Sequence, residues 1–211
     1  MKTLVQCDFD GTITEEDVSF ELLDLFADGD WRQLLGEYRE GKISVGCFNT
    51  KAFAMVEASK QTLLGAVKGR VKIREGFGEM LACCQRLGFR FVIVSNGLDF
   101  YIEAILRDIG LESIEIFAAK TWFYPGGIQV RYTGPGGRGV EDGFKEMYVS
   151  SFLESGYRVI YVGNGLSDIL PARKSHHIFA TGELLARCQQ MDVDCVPFAS
   201  FNDIVRELEL L

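Results

Sequence analysis

A length of 211 residues allows one sizeable hydrophobic core with a modest inserted subdomain. Hydrophobic residues make up 47% of the sequence and charged residues 25%, as in ordinary globular proteins, and no run approaches the ~18 consecutive apolar residues of a membrane span. The formal net charge of -8 argues against nucleic acid or an anionic membrane as the main partner, because both attract positively charged surfaces. A small phosphorylated metabolite remains compatible with this charge.

The N-terminus and the cysteines predict a cytoplasmic protein. The first apolar stretch is too short for a secretory signal and leads directly into Asp8. The six cysteines form no C-x-x-C pair and lie far along the chain from the two histidines, which argues against a zinc site. Reduced, buried thiols are the expected state of these cysteines.

Short apolar runs that are rich in β-branched residues predict strands of a parallel sheet covered on both faces. In chain order, the runs are Thr3–Cys7, Arg90–Val94, Val159–Val162 and Ile178–Ala180, with Val193–Val196 a weaker candidate. The helical patterns between them are Glu75–Leu87, Phe100–Ile109 and Lys145–Glu154. This alternation predicts an α/β fold with a doubly wound, mostly parallel, Rossmann-like sheet.

Two segments interrupt the alternation of strands and helices. Between Glu15 and Lys72 the apolar residues follow helical spacing and no run predicts a strand. We therefore expect a helical insert at residues 15–72, after strand one, and an α/β core formed by residues 1–14 and 73–211. The second segment, Thr121–Asp142, predicts two extended stretches around a Pro-Gly-Gly turn.

Polar residues follow three of the predicted strands, at the edge where open α/β sheets bind ligands. Asp8 and Asp10 follow the first strand, Ser95 follows the second, and the segment 163–168 follows the third. Two carboxylates this close together favour a hard cation between them, and magnesium prefers oxygen ligands. The pattern predicts that Asp8 attacks a phosphorus atom and that Asp10 transfers the proton of the leaving group.

Further residues are candidates for binding the phosphoryl group of a substrate. Ser95 and Lys145, which opens the helix before the third strand, are expected to hold its oxygens and offset its charge. Thr12, Asn96 and Gly97 adjoin the same loops and are further substrate-binding candidates.

These residues resemble, in order, the four motifs of the haloacid-dehalogenase phosphatases, namely Asp8-Phe9-Asp10-Gly11-Thr12, Ser95, Lys145 and Gly163-Asn164-Gly165-Leu166-Ser167-Asp168. The resemblance covers most of the chain, and the insert at residues 15–72 stands where that family has its cap. It implies a Mg2+-dependent phosphatase with Asp8 as the nucleophile and Asp10 as the general acid/base. The metal would bind Asp8, the backbone carbonyl of Asp10 and the last motif, with Asn164 and Asp168 as its candidates.

Within that family the chain is similar to the phosphoserine-phosphatase branch, and closer still to the phosphatases of methionine salvage. The resemblance rests on Cys7–Thr14, on 72–77, 96–100 and 179–184, and on Val196-Pro197-Phe198. Phosphoserine phosphatases bring a glutamate and an arginine of the cap to the amino-acid head group. Here Asp17 stands at the first position, and Thr50 or Ala52 at the second. We therefore expect a neutral, partly apolar substrate such as the methylthiopentenyl phosphate of methionine salvage.

Several alternatives remain open from the sequence. The last motif of the family usually begins with an aspartate, and Asn164 stands there, which permits a catalytically impaired phosphate-binding module. A phosphoserine phosphatase, a broad-specificity phosphatase and a phosphotransferase would use the same residues. The aromatic residues of the insert are expected to lie mostly in its core: Phe20, Phe26, Trp31, Phe48 and Phe53.

Overall fold

The computed structural model describes residues 2–210, which contain eight strands. The strands are β1 Lys2–Cys7, β2 Arg90–Leu98, β3 Glu115–Tyr124, β4 Gly127–Thr133, β5 Gly139–Val140, β6 Tyr157–Gly163, β7 His177–Ala180 and β8 Val196–Pro197. They form one sheet in the order β5-β4-β3-β2-β1-β6-β7-β8. The pairs β3–β2, β2–β1, β1–β6, β6–β7 and β7–β8 are parallel. The pairs β3–β4 and β4–β5 are antiparallel. The predicted α/β fold with a mostly parallel, Rossmann-like sheet is confirmed.

Ten α-helices accompany the sheet in the described part of the chain. They are α1 Val18–Phe26, α2 Trp31–Arg39, α3 Val45–Phe53, α4 Lys60–Val67, α5 Phe77–Leu87, α6 Asp99–Asp108, α7 Phe144–Glu154, α8 Ile169–Lys174, α9 Gly182–Gln190 and α10 Phe201–Leu208. A 3-10 turn, Leu166–Asp168, precedes α8. No helix among residues 2–210 has the length and hydrophobicity needed to cross a membrane.

The strand β1 lies in the middle of the sheet, between β2 and β6. Its residues Leu4, Val5 and Cys7 are completely buried, as a central parallel strand requires. The polar residues that end β1, β2 and β6 therefore meet at one edge of the sheet. This arrangement brings together the polar residues that follow three separate apolar runs in the sequence.

The strands β2 and β8 differ in extent from the runs predicted for them. The strand β2 continues through Ser95, Asn96 and Gly97 to Leu98, although these residues were predicted to lie beyond it. Its pairing with β3 shifts register between Val94 and Leu98, so this stretch is irregular although it remains extended. The weak candidate at 193–196 is wrong in extent, because β8 comprises only Val196–Pro197.

The helices α1 to α4 follow one another between Val18 and Val67, each with a side-chain cap at its first turn. The chain enters and leaves this helical insert side by side. The backbone N–H of Glu15 donates to the Lys72 carbonyl at 2.9 Å, and that of Arg74 donates to the Ile13 carbonyl at 2.8 Å. These bonds join the two ends of the insert to each other and hold together the core segments from which it leaves.

Helix α3 of the insert packs directly on the antiparallel end of the sheet. The hydroxyl of Ser44, which caps α3, donates to the Glu141 carbonyl at 2.9 Å. A Cβ at Gly46 would lie 2.5 Å from the same carbonyl oxygen, so only glycine allows this approach. The extension formed by β4 and β5 thereby supports the insert above the strand ends.

Candidate active site

A cavity of about 420 Å³ lies between the strand ends and the helical insert. This volume is typical of small-molecule sites. The core contributes Asp8, Asp10, Ser95, Asn96, Gly97, Lys145 and Asn164 to its lining. The insert contributes Phe20, Leu35, Tyr38, Arg39, Val45, Phe48 and Asn49. The structure thus brings most of the predicted site residues together, with helices of the insert over them.

Lys145 connects two carboxylates at the base of this cavity. Its Nζ lies 2.8 Å from Asp8 Oδ1 and 2.7 Å from Asp168 Oδ1, and all three side chains are at least nine-tenths buried. The residue stands in the first turn of α7, and its backbone carbonyl accepts a hydrogen bond from Gln6 of β1 at 3.1 Å. An ammonium group shared between two buried carboxylates offsets charges that burial alone would make costly.

Asp168 uses both carboxylate oxygens to hold its surroundings. Oδ1 accepts from Lys145 and from the Tyr161 hydroxyl at 2.6 Å, and Oδ2 accepts from the backbone N–H groups of Asn164 and Gly165. Asp168 is completely buried and is not among the residues that line the cavity. The geometry therefore supports a role in fixing Lys145 and the loop, rather than the direct metal ligation expected from the sequence.

The environments of the two carboxylates move their pKa values apart. Burial, followed by the negative charge of Asp168, raises the pKa of Asp8 to about 7. Although burial opposes it, the charge of Lys145 holds the pKa of Asp168 below its usual value. Lys145 itself is buried, yet the two carboxylates raise its pKa above its usual value. Of the two carboxyl groups that contact Lys145, Asp168 is therefore the one that more readily remains ionised.

Asp8 presents one oxygen atom to the cavity. Its Oδ1 accepts from the Phe9 backbone at 2.7 Å and from Lys145, whereas Oδ2 accepts no hydrogen bond from residues 2–210. Two donors on one oxygen fix the carboxylate plane and leave the other oxygen available for reaction. This is the geometry that a nucleophilic carboxylate requires.

Asp10 is held from two sides. Its Oδ2 accepts from the Tyr101 hydroxyl at 2.6 Å, and its Oδ1 accepts from the backbone N–H of Val18, the first residue of α1, at 3.1 Å. Burial, followed by the charge of Asp17, raises the pKa of Asp10 well above its usual value. A carboxyl group whose pKa is raised holds its proton more readily, which suits a general acid.

The loop between the first strand and the insert is braced by two other side chains. The guanidinium of Arg74 donates to the carbonyls of Gly11 and Thr12, each at 2.8 Å. The Thr12 hydroxyl donates to Asn164 Oδ1 at 2.8 Å, and Thr12 is completely buried outside the cavity lining. Thr12, predicted to bind substrate, therefore joins the first and last motifs instead.

The oxygen atoms at the strand ends fit a magnesium ion. No group of three His, Cys, Asp or Glu side chains among the described residues could hold a metal alone. A carboxylate oxygen of Asp8, the backbone carbonyl of Asp10 and the amide oxygen of Asn164 nevertheless offer a set of hard donors. Mg2+ accepts so few protein ligands because it retains waters and binds substrate phosphate. The buried carboxylates outnumber the single nearby ammonium, which further favours a cation.

Ser95, Asn96 and Gly97 line the cavity beside the first motif. The Ser95 hydroxyl accepts from the Gly97 backbone N–H at 3.0 Å and keeps its proton for a ligand. Asn96 is 8% exposed, and its Oδ1 has no hydrogen-bond partner among the described residues. A buried amide oxygen without a partner is costly unless a ligand or water satisfies it.

The insert places both apolar and polar groups in the cavity. Among its five predicted core aromatics, Phe20 and Phe48 reach the lining. Tyr38 stacks on Phe48 with 6.0 Å between ring centroids and lies near Ser167 and the Lys145 charge. Arg39 of the insert also lines the cavity, although the resemblance to phosphoserine phosphatases places Thr50 or Ala52 at the position of the cap arginine. Asp17 lines it too, while capping α1 through the Phe20 N–H.

Sequence reasoning missed the two tyrosines that donate to the buried carboxylates. Tyr161 lies within an apolar strand, where a buried phenol must find an acceptor, and this requirement was the available signal. Tyr101 directly follows the Asn96–Phe100 stretch, but its partner Asp10 is 91 positions away. Such a partner becomes evident only once α6 is placed beside the first strand.

Comparisons with known proteins agree with this geometry. The haloacid dehalogenase-like hydrolase family matches residues 5–173. Similar relatives include two proteins named 2-hydroxy-3-keto-5-methylthiopentenyl-1-phosphate phosphatase. The protein of Brevibacillus brevis is 26% identical over 99% of this chain and 96% of its own length, and that of an Exiguobacterium species is 30% identical over 97% and 96%.

A solved structure shows the same fold. It is a phospho-aspartyl intermediate analogue of phosphoserine phosphatase, which superposes with a TM-score of 0.73 at 19% identity and covers 98% of both chains. The family match extends over most of the sequence and includes the residues that carry all four motifs. The chain therefore belongs to the haloacid dehalogenase-like hydrolase family, and within it to the phosphatases.

Proposed function

We propose that this phosphatase hydrolyses a small phosphomonoester through an aspartyl-phosphate formed on Asp8, with Mg2+ bound at the strand ends. The observation that carries the proposal is the fixed Asp8 carboxylate, with Oδ1 held by two donors and Oδ2 left to the cavity. Bound magnesium would offset the charge of the phosphoryl group. Lys145 offsets further charge as the group is transferred, because its ammonium lies against the attacking carboxylate.

The reaction proceeds in two steps in this proposal. Asp8 Oδ2 attacks phosphorus, the ester P–O bond breaks, and Asp10 gives its proton to the leaving oxygen. A water molecule then attacks the phosphorus of the aspartyl-phosphate while Asp10 accepts its proton. Inorganic phosphate leaves and Asp8 is regenerated. The raised pKa of Asp10 supports the first of these proton transfers.

For the substrate we propose the methylthiopentenyl phosphate named in the relatives. The apolar side chains of Phe20, Leu35 and Phe48 suit its methylthio end, and Tyr38 and Asn49 offer hydrogen bonds to its oxygen atoms. Arg39 is the feature that favours a second candidate, phosphoserine, since a guanidinium suits a carboxylate. Arg39 is exposed, however, so solvent weakens its attraction for a ligand charge.

A panel of phosphorylated metabolites, compared by kcat/KM, tests both parts of the proposal. We expect the methylthiopentenyl phosphate to be preferred over phosphoserine, and over aryl and sugar phosphates. Asp8→Asn should lower turnover at least about a thousandfold, because removing a nucleophile removes the covalent route. A chelator should abolish turnover, and added Mg2+ should restore it.

The outcomes separate the alternatives. A preference for phosphoserine would replace the proposed substrate, and a flat profile would indicate a broad phosphatase. Full activity of Asp8→Asn would overturn the aspartyl-phosphate. An inactive wild-type chain that gains activity from Asn164→Asp would support the impaired phosphate-binding module, since that change restores the missing charge at the metal site.

A further inference from the structure

Two completely buried tyrosines donate hydrogen bonds to carboxylates of the active site. The Tyr101 hydroxyl lies 2.6 Å from Asp10 Oδ2, and the Tyr161 hydroxyl lies 2.6 Å from Asp168 Oδ1. Neither ring is among the residues that line the cavity. Any influence of these tyrosines on the reaction must therefore act through the carboxylates that they contact.

The two carboxylates depend on their tyrosines to different extents. Asp168 accepts four hydrogen bonds, all from the core, and three remain without Tyr161. From residues 2–210 the Asp10 carboxylate accepts only two, and the second comes from the first residue of α1 in the helical insert. Without the Tyr101 hydroxyl, a single amide at 3.1 Å on the insert would hold the Asp10 side chain.

We propose that Tyr101 is the positioning residue for proton transfer to the leaving group. Its hydroxyl fixes the Asp10 carboxyl from the core side, so that the carboxyl keeps its orientation when the insert shifts. The proposal rests on the phosphatase mechanism given above and adds a residue to it. Tyr101 keeps its own proton throughout. Asp10 gives a proton to the leaving oxygen as the P–O bond breaks and later takes one from water.

The packing around Tyr101 is built for this contact. A Cβ at Gly97 would lie 2.2 Å from Asp10 Oδ2 and 2.3 Å from the Tyr101 hydroxyl, so glycine leaves the space that the pair occupies. The Tyr101 ring also packs against Phe9 and Phe100, with centroids 6.5 and 5.4 Å away. These ring contacts do not involve the hydroxyl, and Tyr101→Phe keeps them.

The test compares Tyr101→Phe with Tyr161→Phe, which removes an equally buried hydroxyl at the same distance from the other carboxylate. Each protein is assayed in Mg2+ with p-nitrophenyl phosphate, whose leaving group needs little protonation, and with the alkyl phosphate that the wild type hydrolyses best. Tyr101→Phe should lower kcat/KM at least about tenfold for the alkyl ester and less than about twofold for the aryl ester, through kcat rather than KM. Tyr161→Phe should affect both esters alike.

The ratio of the two kcat/KM values within one preparation is independent of the fraction of folded enzyme. A loss of folded enzyme in the Tyr101→Phe preparation therefore cannot imitate the expected result. Gly97→Ala, which forces Asp10 and Tyr101 apart, should change the ratio in the same direction. An unchanged ratio in an active Tyr101→Phe enzyme would overturn the inference alone. A wild-type enzyme that hydrolyses neither ester would overturn the phosphatase mechanism and the inference together.

Discussion

Asp8 and Asp168 share one ammonium group, and they share it unequally. Lys145 contacts both carboxylates, but only Asp168 also accepts from a phenol and two backbone amides. The pKa of Asp8 is raised from 3.8 to about 7, first by burial and then by the charge of Asp168. Without a bound cation, Asp8 therefore keeps a proton at pH values where the unfolded chain has released it.

We predict that Asp8→Asn stabilises the metal-free fold, and increasingly so as the pH rises. Between about pH 4 and about pH 7 the native carboxyl binds one more proton than the unfolded one, so the wild type loses up to ~1.4 kcal/mol of unfolding free energy per pH unit through this group. Asparagine has no such proton. The stability difference should grow over this range and level off above it. Denaturant unfolding in excess chelator measures it.

Asp168→Asn is the matched control, because it changes the other carboxylate that Lys145 contacts. An amide accepts through one atom only, so some of the four donors lose their acceptor. Since the pKa of Asp168 lies below its usual value, this carboxylate stabilises the fold above about pH 4 and loses that effect in more acid solution. Asp168→Asn should therefore destabilise the protein at neutral pH. A pH-independent gain for Asp8→Asn would contradict the explanation.

At the level of elements, α3 is the helix of the insert that is tied most closely to the core. Its Asn49 is 5% exposed and donates through Nδ2 to the Asn96 carbonyl at 2.9 Å and to the Tyr132 hydroxyl at 2.7 Å. The Tyr132 hydroxyl donates to the same carbonyl at 2.6 Å. One buried network thus joins the insert, the β4 strand and the residue after Ser95.

We predict that Asn49→Leu loosens α3 without unfolding the core. The substitution removes two hydrogen bonds but leaves the Asn96 carbonyl its bond from Tyr132, at a cost of about 1–2 kcal/mol. Amide hydrogen exchange in α3 should accelerate roughly tenfold while α5 stays unchanged. The KM should rise as well, because Asn49 lines the cavity. Thr50→Ala changes an exposed position on the same helix and should alter neither the exchange in α3 nor the KM. Equal rates of amide exchange in α3 of both variants would refute the role of the network.

The strand β3 shows why sequence patterns recover some elements and miss others. Its second half was predicted from the aromatic run before the Pro-Gly-Gly turn, but its first half was not. That half begins at Glu115, whose carboxylate pairs with Arg90 of β2 at 2.6 Å. The apolar run that follows is only four residues long, from 116 to 119, and Lys120 ends it. The helical periodicity of the insert extends over many more residues, and α1 to α4 all lie within the range predicted to be helical.

On the scale of the whole molecule, residues from the insert and the core together line the cavity. A movement of the insert relative to the core would therefore change how substrate enters and how phosphate leaves. The sequence contains two tryptophans, which lie on different parts. Trp31 is 5% exposed and packs on Phe20 and Phe48 of the cavity lining, whereas Trp122 in β3 is 43% exposed.

We predict that inorganic phosphate with Mg2+ protects Trp31 from a soluble quencher. In the Trp122→Phe variant, Trp31 is the single tryptophan, and acrylamide quenching should decrease in a saturable manner as phosphate is added. Ligand binding favours the closed arrangement, in which Trp31 is buried. The Trp31→Phe variant, which retains Trp122, should show no such change. Identical quenching of Trp31 with and without phosphate would argue against movement of the insert.

The residues that line the site were more predictable from the sequence than the residues that hold them in place. Asp8, Asp10, Ser95 and Lys145 all lie on the cavity because the topology of a parallel sheet brings strand ends together. Thr12 and Asp168 point to neighbouring loops instead, and that direction depends on side-chain packing. Arg39 was overlooked because its exposure to the cavity depends on how α2 sits over the core. Periodicity identifies a helix but leaves its orientation open.

The paired backbone bonds at the base of the insert make the molecule modular. Because Glu15 meets Lys72 and Ile13 meets Arg74, the segment between them starts and finishes at one spot on the core surface. A segment attached in this way can be lengthened, shortened or exchanged with little disturbance of the sheet that performs the chemistry. Selection, or an engineer, could therefore graft a foreign lid at Glu15 and Lys72 and redirect the enzyme to another phosphate ester, with the reactive aspartates left in place.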